Sequence, residues 1–289
     1  MSPVLADEEP DTGSWVTCPE GQTCLRSFQN APFPHSSRAK GYTYNGTFFD
    51  TASHYSDSTV GIFIPAGYHP ADSVDFVVHF HGWTNHVAAV LDHYELRQQL
   101  VQSGRNAILL TPQGPKDASD SSGGRLEKEP GAFQALLEEV THYLLKAGKI
   151  RTNRIGHIVL SAHSGGYNVT SALLAQGGMR DRITDVLLFD ASYGGLEGFS
   201  DWAGAGHGRR LVSLFTRHLA PENFMLISLL QKRHTPFETL LEPDLTERAL
   251  LPRRTLFLHT LDLEHDEVMH KRGYFALFLR TSALTARVR

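Results

Sequence analysis

The run Ile155-Gly-His-Ile-Val-Leu-Ser-Ala-His-Ser164-Gly-Gly-Tyr-Asn-Val169 is apolar until it breaks at a serine with a small residue two places before it and two after it. A chain can pass from strand to helix this abruptly only where the flanking side chains leave the backbone room to fold back on itself. Ala162 and Gly166 meet that condition, so the run predicts a strand, a sharp turn and a helix, with Ser164 thrust out as a nucleophile. The Gly165 N–H can then face an oxyanion, and the positive end of the new helix points at developing negative charge. A serine capping a helix in a nucleotide-binding turn is the competing reading. Such a turn normally needs more glycine ahead of the helix than Ala162-His163 supplies.

The rest of the chain repeats the strand–helix alternation. Apolar runs at 76–80, 106–111, 155–161, 186–189, 211–215 and 255–258 read as strands, and helical periodicity covers 86–102, 131–146, the stretch after Gly165, 222–230 and 267–279. Strands that are apolar on both faces and separated by amphipathic helices predict an α/β protein: a mostly parallel central sheet with helices on both faces. Short strands at 42–49, interrupted by Asn45-Gly46, and at 58–65 imply antiparallel first strands. Residues 1–38 lack periodicity and are expected to lie on the surface as an N-terminal extension, contributing few core residues, with one domain over 39–289. In such sheets ligands bind beyond the carboxyl ends of the strands. Four of these ends are chemically unusual: His79-Phe-His-Gly-Trp83, Pro112-Gln-Gly-Pro115, Ala162-His-Ser-Gly-Gly166 and Asp190-Ala-Ser-Tyr-Gly194.

Across 289 residues, 27 basic and 31 acidic side chains give a net charge of −4, too mild and mixed for a nucleic-acid partner. A small uncharged substrate fits better. No apolar run reaches the roughly 18 residues that cross a bilayer, and the start lacks the charged and apolar regions of a signal peptide. The chain is therefore expected to be soluble, with its oligomeric state left open. Cys18 and Cys24 are the only cysteines. Paired as a disulfide closing a short loop they would place the protein in an extracellular or periplasmic compartment, and as free thiols in the cytosol; the pairing is the preferred expectation.

The order strand, small-x-Ser-x-Gly, helix, preceded by a strand ending in His81-Gly82, resembles the α/β-hydrolase fold of esterases and lipases over about residues 42–284. Ala162 stands where that family usually has glycine, a change the turn tolerates. The resemblance implies a base in the loop after the last strand. This selects His265 over His270, which would sit a turn into the following helix, and over His259, which ends the strand itself. It implies an acid too, although the strand ending at 215 offers none before Glu222. Asp190 is preferred, with Glu222 and Asp262 in reserve. For the oxyanion hole it implies the backbone N–H groups of Trp83 and Gly165. His81, Tyr167, Arg125 and Trp202 are candidate substrate-lining residues, and the long polar loop 112–130 is expected to be a lip or a mobile flap.

The expectation is thus a serine hydrolase acting on a carboxylic ester through an acyl-enzyme on Ser164, without cofactor or metal. The absence of an inserted cap and the polar rim point to a small soluble or carbohydrate ester. Two alternatives stand beside it: a metal-dependent hydrolase using His79 and His81 with His265 or His270, and a hydrolase-like protein that only binds ligands.

Overall fold

The computed structural model describes residues 14–206, 208–251 and 254–288. At the centre of the molecule is a ten-stranded sheet. In chain order the strands are β1 (Val16–Cys18), β2 (Gly21–Ser27), β5 (Thr59–Pro65), β6 (Val74–Phe80), β7 (Ala107–Pro112), β8 (Ile155–His163), β9 (Ile183–Phe189), β10 (Arg210–Phe215), β11 (Phe237–Leu241) and β12 (Thr255–His259), with β3 (Tyr42–Tyr44) and β4 (Thr47–Phe49) forming a separate hairpin. Their spatial order is β1-β2-β5-β7-β6-β8-β9-β10-β12-β11. Pairings from β1 to β7 are antiparallel, and every pairing from β7 to β11 is parallel.

The parallel strands form because each is apolar on both faces. Every residue of β6, β7 and β10 is buried. One face packs on the helices Ala132–Lys146, Tyr167–Gln176, Leu196–Gly204 and Ala220–Lys232 through Phe133, Leu136, Leu173, Phe199 and Leu226. The other packs on Val87–His93, Leu96–Ser103 and Tyr274–Arg280 through Val90, Leu100, Phe275 and Leu279. The predicted sheet with helices on both faces and antiparallel first strands is the observed one.

Four expectations change. Helix 86–102 is two helices, broken where Glu95 takes a left-handed φ of 50°. The closing helix is likewise divided, into Glu267–His270 and Tyr274–Arg280, at Gly273. The N-terminal extension falls partly outside the described residues, at 1–13. Its remainder, residues 14–38, is no surface appendage, because β1 and β2 extend the sheet and Cys24, Phe28, Ala31 and Phe33 are buried. These strands carry no apolar run because few of their residues are buried: none in Val16–Cys18 and only Gly21 and Cys24 in Gly21–Ser27. Asn45 and Gly46, both with positive φ (47° and 80°), turn the β3–β4 hairpin as expected, but that hairpin stands apart from the main sheet.

Cys18 and Cys24 are free thiols. Cys24 packs in the core beneath the helix Ala132–Lys146, its Sγ 3.5 Å from the Tyr143 hydroxyl, whereas Cys18 packs against the cluster on the other face of the sheet. Lying on opposite faces, they cannot approach to the 3.5–4.5 Å between Cβ atoms that a disulfide needs, about the figure for any such bridge. The pairing that suggested an oxidising compartment is thereby removed. No described helix is long and apolar enough to cross a membrane.

Candidate active site

At the end of β8 the backbone turns at Ser164, whose φ of 51° puts it in the left-handed region. For a non-glycine residue this costs of order 1–3 kcal/mol, a strain the surrounding packing must hold in place. Small neighbours make it possible. A Cβ on Gly166 would stand 2.3 Å from the Phe80 carbonyl oxygen, and one on Gly82 would stand 2.6 Å from Ser164 Cβ. The Gly82 backbone therefore lies directly against the serine.

One strand along, Asp190 follows β9 with a φ of 46° and no exposure to solvent. Burying a carboxylate is costly unless donors surround it, and three do. Oδ1 accepts from the Thr216 amide at 2.8 Å; Oδ2 accepts from the Thr216 hydroxyl at 2.9 Å and from His265 Nδ1 at 2.7 Å. The proton on Nδ1 leaves Nε2 of His265 with a lone pair, the tautomer a general base requires. His265 sits in the loop between β12 and the helix Glu267–His270, with about a third of its side chain exposed. Among the described hydrogen bonds, none joins Ser164 Oγ to His265.

None of the reserve candidates enters the described hydrogen bonds of Asp190 or His265. His270 packs against the rings of His93 and Tyr94, and His259 stacks on Phe215. Asp262 pairs with Arg272; Glu222, in the first turn of the helix Ala220–Lys232, keeps a buried Oε2 without a described hydrogen-bond partner and lies near enough to Tyr193 to raise its pKa.

His81 lines a small cavity with Ser121, Gly165 and Gly166, but both of its ring nitrogens are engaged by the protein. It is buried, donates from Nδ1 to the Gly82 carbonyl at 2.8 Å and accepts at Nε2 from the Gly114 amide at 3.0 Å. Gln113 Nε2 lies at the same distance from that nitrogen. Burial holds the His81 pKa below its ordinary value, so the neutral ring stays a two-ended clamp on the loop carrying Gly82 and Trp83. Trp83 in turn donates from its indole to Ser121 Oγ at 2.7 Å and packs edge-on against Tyr44, with its Cδ1 alongside Gly165. Gly165 lies in the first turn of the 3-10 helix Ser164–Gly166, where amides lack intrahelical partners.

Loop 112–130 is ordered rather than a mobile flap. Arg38 grips Asp120 through Nε at 2.7 Å and Nη2 at 2.9 Å, and Asn168 Nδ2 donates to the Ser121 carbonyl. Arg125 is spent on Glu129 and the Pro34 carbonyl, away from Ser164. Trp202 is fully buried within the helix Leu196–Gly204 and lines no cleft. Tyr167 is half-buried, its ring 6.0 Å from that of Tyr193.

Residues beyond the expected set surround His265. His163 is buried, its Nε2 3.0 Å from the His265 carbonyl and its Nδ1 3.2 Å from the Tyr94 hydroxyl. Burial and the neighbouring His265 push its pKa down to about 4, so its Nε2–H donates to that carbonyl. On the other side, His218 Nδ1 is 2.6 Å from Thr216 Oγ1 and 3.5 Å from Asp190 Oδ2, while its Nε2 faces the Tyr193 hydroxyl at 2.7 Å. Burial, reinforced by Asp190, pushes the Tyr193 hydroxyl up to about 12, so it remains a donor. Sequence signals for these were present in position alone: His163 and Thr216 are strand-end residues.

The metal alternative on His79 and His81 fails geometrically. His79 Nδ1 shares a hydrogen bond with Ser161 Oγ, and its ring meets Phe275 edge-on inside the core. Among the described residues, neither His79 nor His81 belongs to a group close enough to share a metal ion.

No protein-family model and no curated protein matches the chain. Solved structures do. A feruloyl esterase module of Clostridium thermocellum, complexed with sinapinate, superposes with a TM-score of 0.54 at 14% identity, covering 92% of this chain and 89% of that one. A fluorophosphonate-binding serine hydrolase of Staphylococcus aureus does so with a TM-score of 0.51 at 9% identity, over 89% and 99% of the two chains. The ferulic acid esterase of the anaerobic fungus Anaeromyces mucronatus gives 0.51 at 10% identity, over 97% and 96%. This chain has the α/β-hydrolase fold.

Proposed function

We propose that the protein is a serine hydrolase of carboxylic esters. Ser164 attacks the ester carbonyl and His265 Nε2 takes its proton; Asp190 holds the imidazole in the required tautomer and stabilises the imidazolium. The Trp83 and Gly165 amides face the oxyanion of the tetrahedral intermediate. Collapse of that intermediate returns the proton to the leaving alcohol and leaves an acyl group on Ser164, which water then removes by the same steps in reverse. The observation that carries the reading is the 2.7 Å bond from His265 Nδ1 to a wholly buried Asp190, on the strand next to a left-handed Ser164.

The substrate class follows from the openness of the site. His265 is partly exposed and Tyr193, beside it, is 42% exposed. A rim this open, edged with Tyr167, Tyr193 and His218, suits a small soluble ester or an ester on a carbohydrate, whose alcohol part projects into solvent. Two of the similar structures are feruloyl esterases, which is compatible with that class.

The test is hydrolysis of short-chain nitrophenyl esters by the parent and by Ser164→Ala, with covalent labelling by a fluorophosphonate. The variant is expected to lose about 10⁶-fold in kcat and all labelling. Equal rates would remove Ser164 from the reaction. A panel of acyl lengths on sugar and aromatic alcohols then ranks the substrate classes.

A further inference from the structure

The second imidazole beside Asp190 has no part in the hydrolysis above. His218 stands half-exposed at the mouth of the site, its ring centre 5.5 Å from that of His265, and both histidines turn Nδ1 toward the same carboxylate oxygen, at 3.5 Å and 2.7 Å. Asp190, His218 and His265 form one of two described groups of three side chains whose donor atoms all lie within 4.8 Å of one another. A tetrahedral Zn²⁺ with ligands at about 2.0–2.2 Å spaces them roughly 3.3 Å apart. The two separations from Asp190 Oδ2 bracket that spacing and the third, between the two imidazoles, lies within 4.8 Å, so ring movements would bring the three ligands onto one ion. Thr216 Oγ1 or water can take the fourth position.

We propose that Asp190, His218 and His265 form a Zn²⁺ site whose occupation switches the hydrolase off. This inference rests on the triad reading. Two imidazoles and one carboxylate suit zinc and similar borderline metals rather than Mg²⁺ or Ca²⁺, which take oxygen ligands. The inhibition follows from proton bookkeeping on His265. Zinc bound at Nδ1 displaces the proton shared with Asp190. The neutral ring then carries its proton on Nε2, so no protons are gained or lost overall and no lone pair remains to accept the proton of Ser164. His218 changes tautomer in the same way, and its Nε2–H then donates to Tyr193 where it formerly accepted.

The other three-membered group, His163, His265 and Asp266, is the weaker candidate. His163 is buried with its Nε2–H committed to the His265 carbonyl, and Asp266 accepts the Tyr94 hydroxyl. A metal there would break both bonds.

The experiment titrates metal-free protein with ZnCl₂ by calorimetry and follows fluorophosphonate labelling of Ser164, which needs no known substrate. The parent is expected to bind one zinc per chain. Its labelling should slow by at least about a hundredfold at saturation, since a wrong imidazole tautomer costs about 10⁴ in a comparable triad, and chelation by EDTA should restore it. His218→Ala should weaken zinc binding at least about tenfold, with its labelling compared with its own metal-free rate and its folding checked by circular dichroism. Asp266→Asn should bind zinc as the parent does. Binding is also measured in Ser164→Ala, where no chemistry intervenes. Zinc affinity unchanged by His218→Ala, affinity lost in Asp266→Asn, or stoichiometric binding that leaves labelling untouched would each overturn the proposal. Absence of labelling in metal-free parent would instead remove the triad reading, and this site's role with it.

Discussion

Strand β9 carries a buried aspartate toward each edge of the sheet, and the two are satisfied in opposite ways. At the N-terminal edge Asp185 accepts Arg210 Nε at 2.6 Å, the Thr184 hydroxyl at 2.8 Å and the Ala283 amide at 3.3 Å; Arg210 also reaches Thr281 and the Phe278 carbonyl. At the C-terminal edge, just past the strand, Asp190 receives two bonds from Thr216 and one from the imidazole of His265. Asp185 is held by a cation that never gives up its charge, in regular strand conformation. Asp190 is held by a neutral imidazole through a single N–H, in a left-handed conformation. The same strand ends in an ion pair on one side and, on the other, in the carboxylate to which the proposed reaction gives the orienting role.

Two substitutions break the comparison most sharply. Asp190→Asn is expected to lower kcat by about 10⁴, because the amide no longer favours the Nδ1–H tautomer, while the unfolding midpoint moves little. Asp185→Asn should do the reverse. Removing the Asp185 charge from the buried pair with Arg210 costs about 3–5 kcal/mol, read as a lower urea midpoint, with kcat per folded molecule within about twofold of the parent. If Asp185→Asn lost activity as steeply as Asp190→Asn, the division of labour along β9 would be wrong.

A smaller effect is expected at the loop over the C-terminal edge. Gly82→Ala would place a methyl group 2.6 Å from Ser164 Cβ and 3.1 Å from its Oγ. Backbone must move to relieve this, and the His81 clamp resists movement. The expected result is a fall in kcat of roughly 10- to 100-fold, from displaced oxyanion donors, with little change in KM. A rise in KM at constant kcat would show that the segment binds ground-state ester instead.

Legibility in the sequence has the same geography. The central strands were legible because burial on both faces makes them uniformly apolar, and Ser164 was legible because the turn restricts its neighbours. Asp190 and His265 came from the order of elements in the resembling family. The edge strands β1 and β11 and the strand β2 beside β1 were not legible: Phe237–Leu241 has no buried residue, and only Gly21 and Cys24 of Gly21–Ser27 are buried. The helix holding Trp202 has no strong signal either, because its glycines lower its propensity and it is packing of Leu196, Phe199 and Trp202 that holds it. Pairwise relations, such as His163 with the His265 carbonyl or Thr216 with Asp190, join residues 102 and 26 positions apart. They have no local signature.

The C-terminal edge should also carry an acid sensitivity of its own. His79, at the end of β6, His81, just beyond it, and His163, at the end of β8, are all buried, and burial lowers the pKa of each from the ordinary 6.5, for His163 to about 4. In the unfolded chain these imidazoles take up protons first as pH falls. The unfolded state then binds more protons than the folded one, and stability rises with pH across the window. Their contribution is full above about pH 6.5 and declines as pH drops toward 4, by up to about 1.4 kcal/mol per pH unit for each ring that remains neutral when folded. Urea unfolding at pH 7, 6 and 5 measures the slope. His79→Leu should flatten it by the share of one ring; loss of the hydrogen bond between Nδ1 and Ser161 Oγ lowers stability at every pH and leaves the slope to report the proton. A slope unchanged in that variant would mean that His79 accepts a proton within the fold, and that the core around Phe275 opens to water in mild acid.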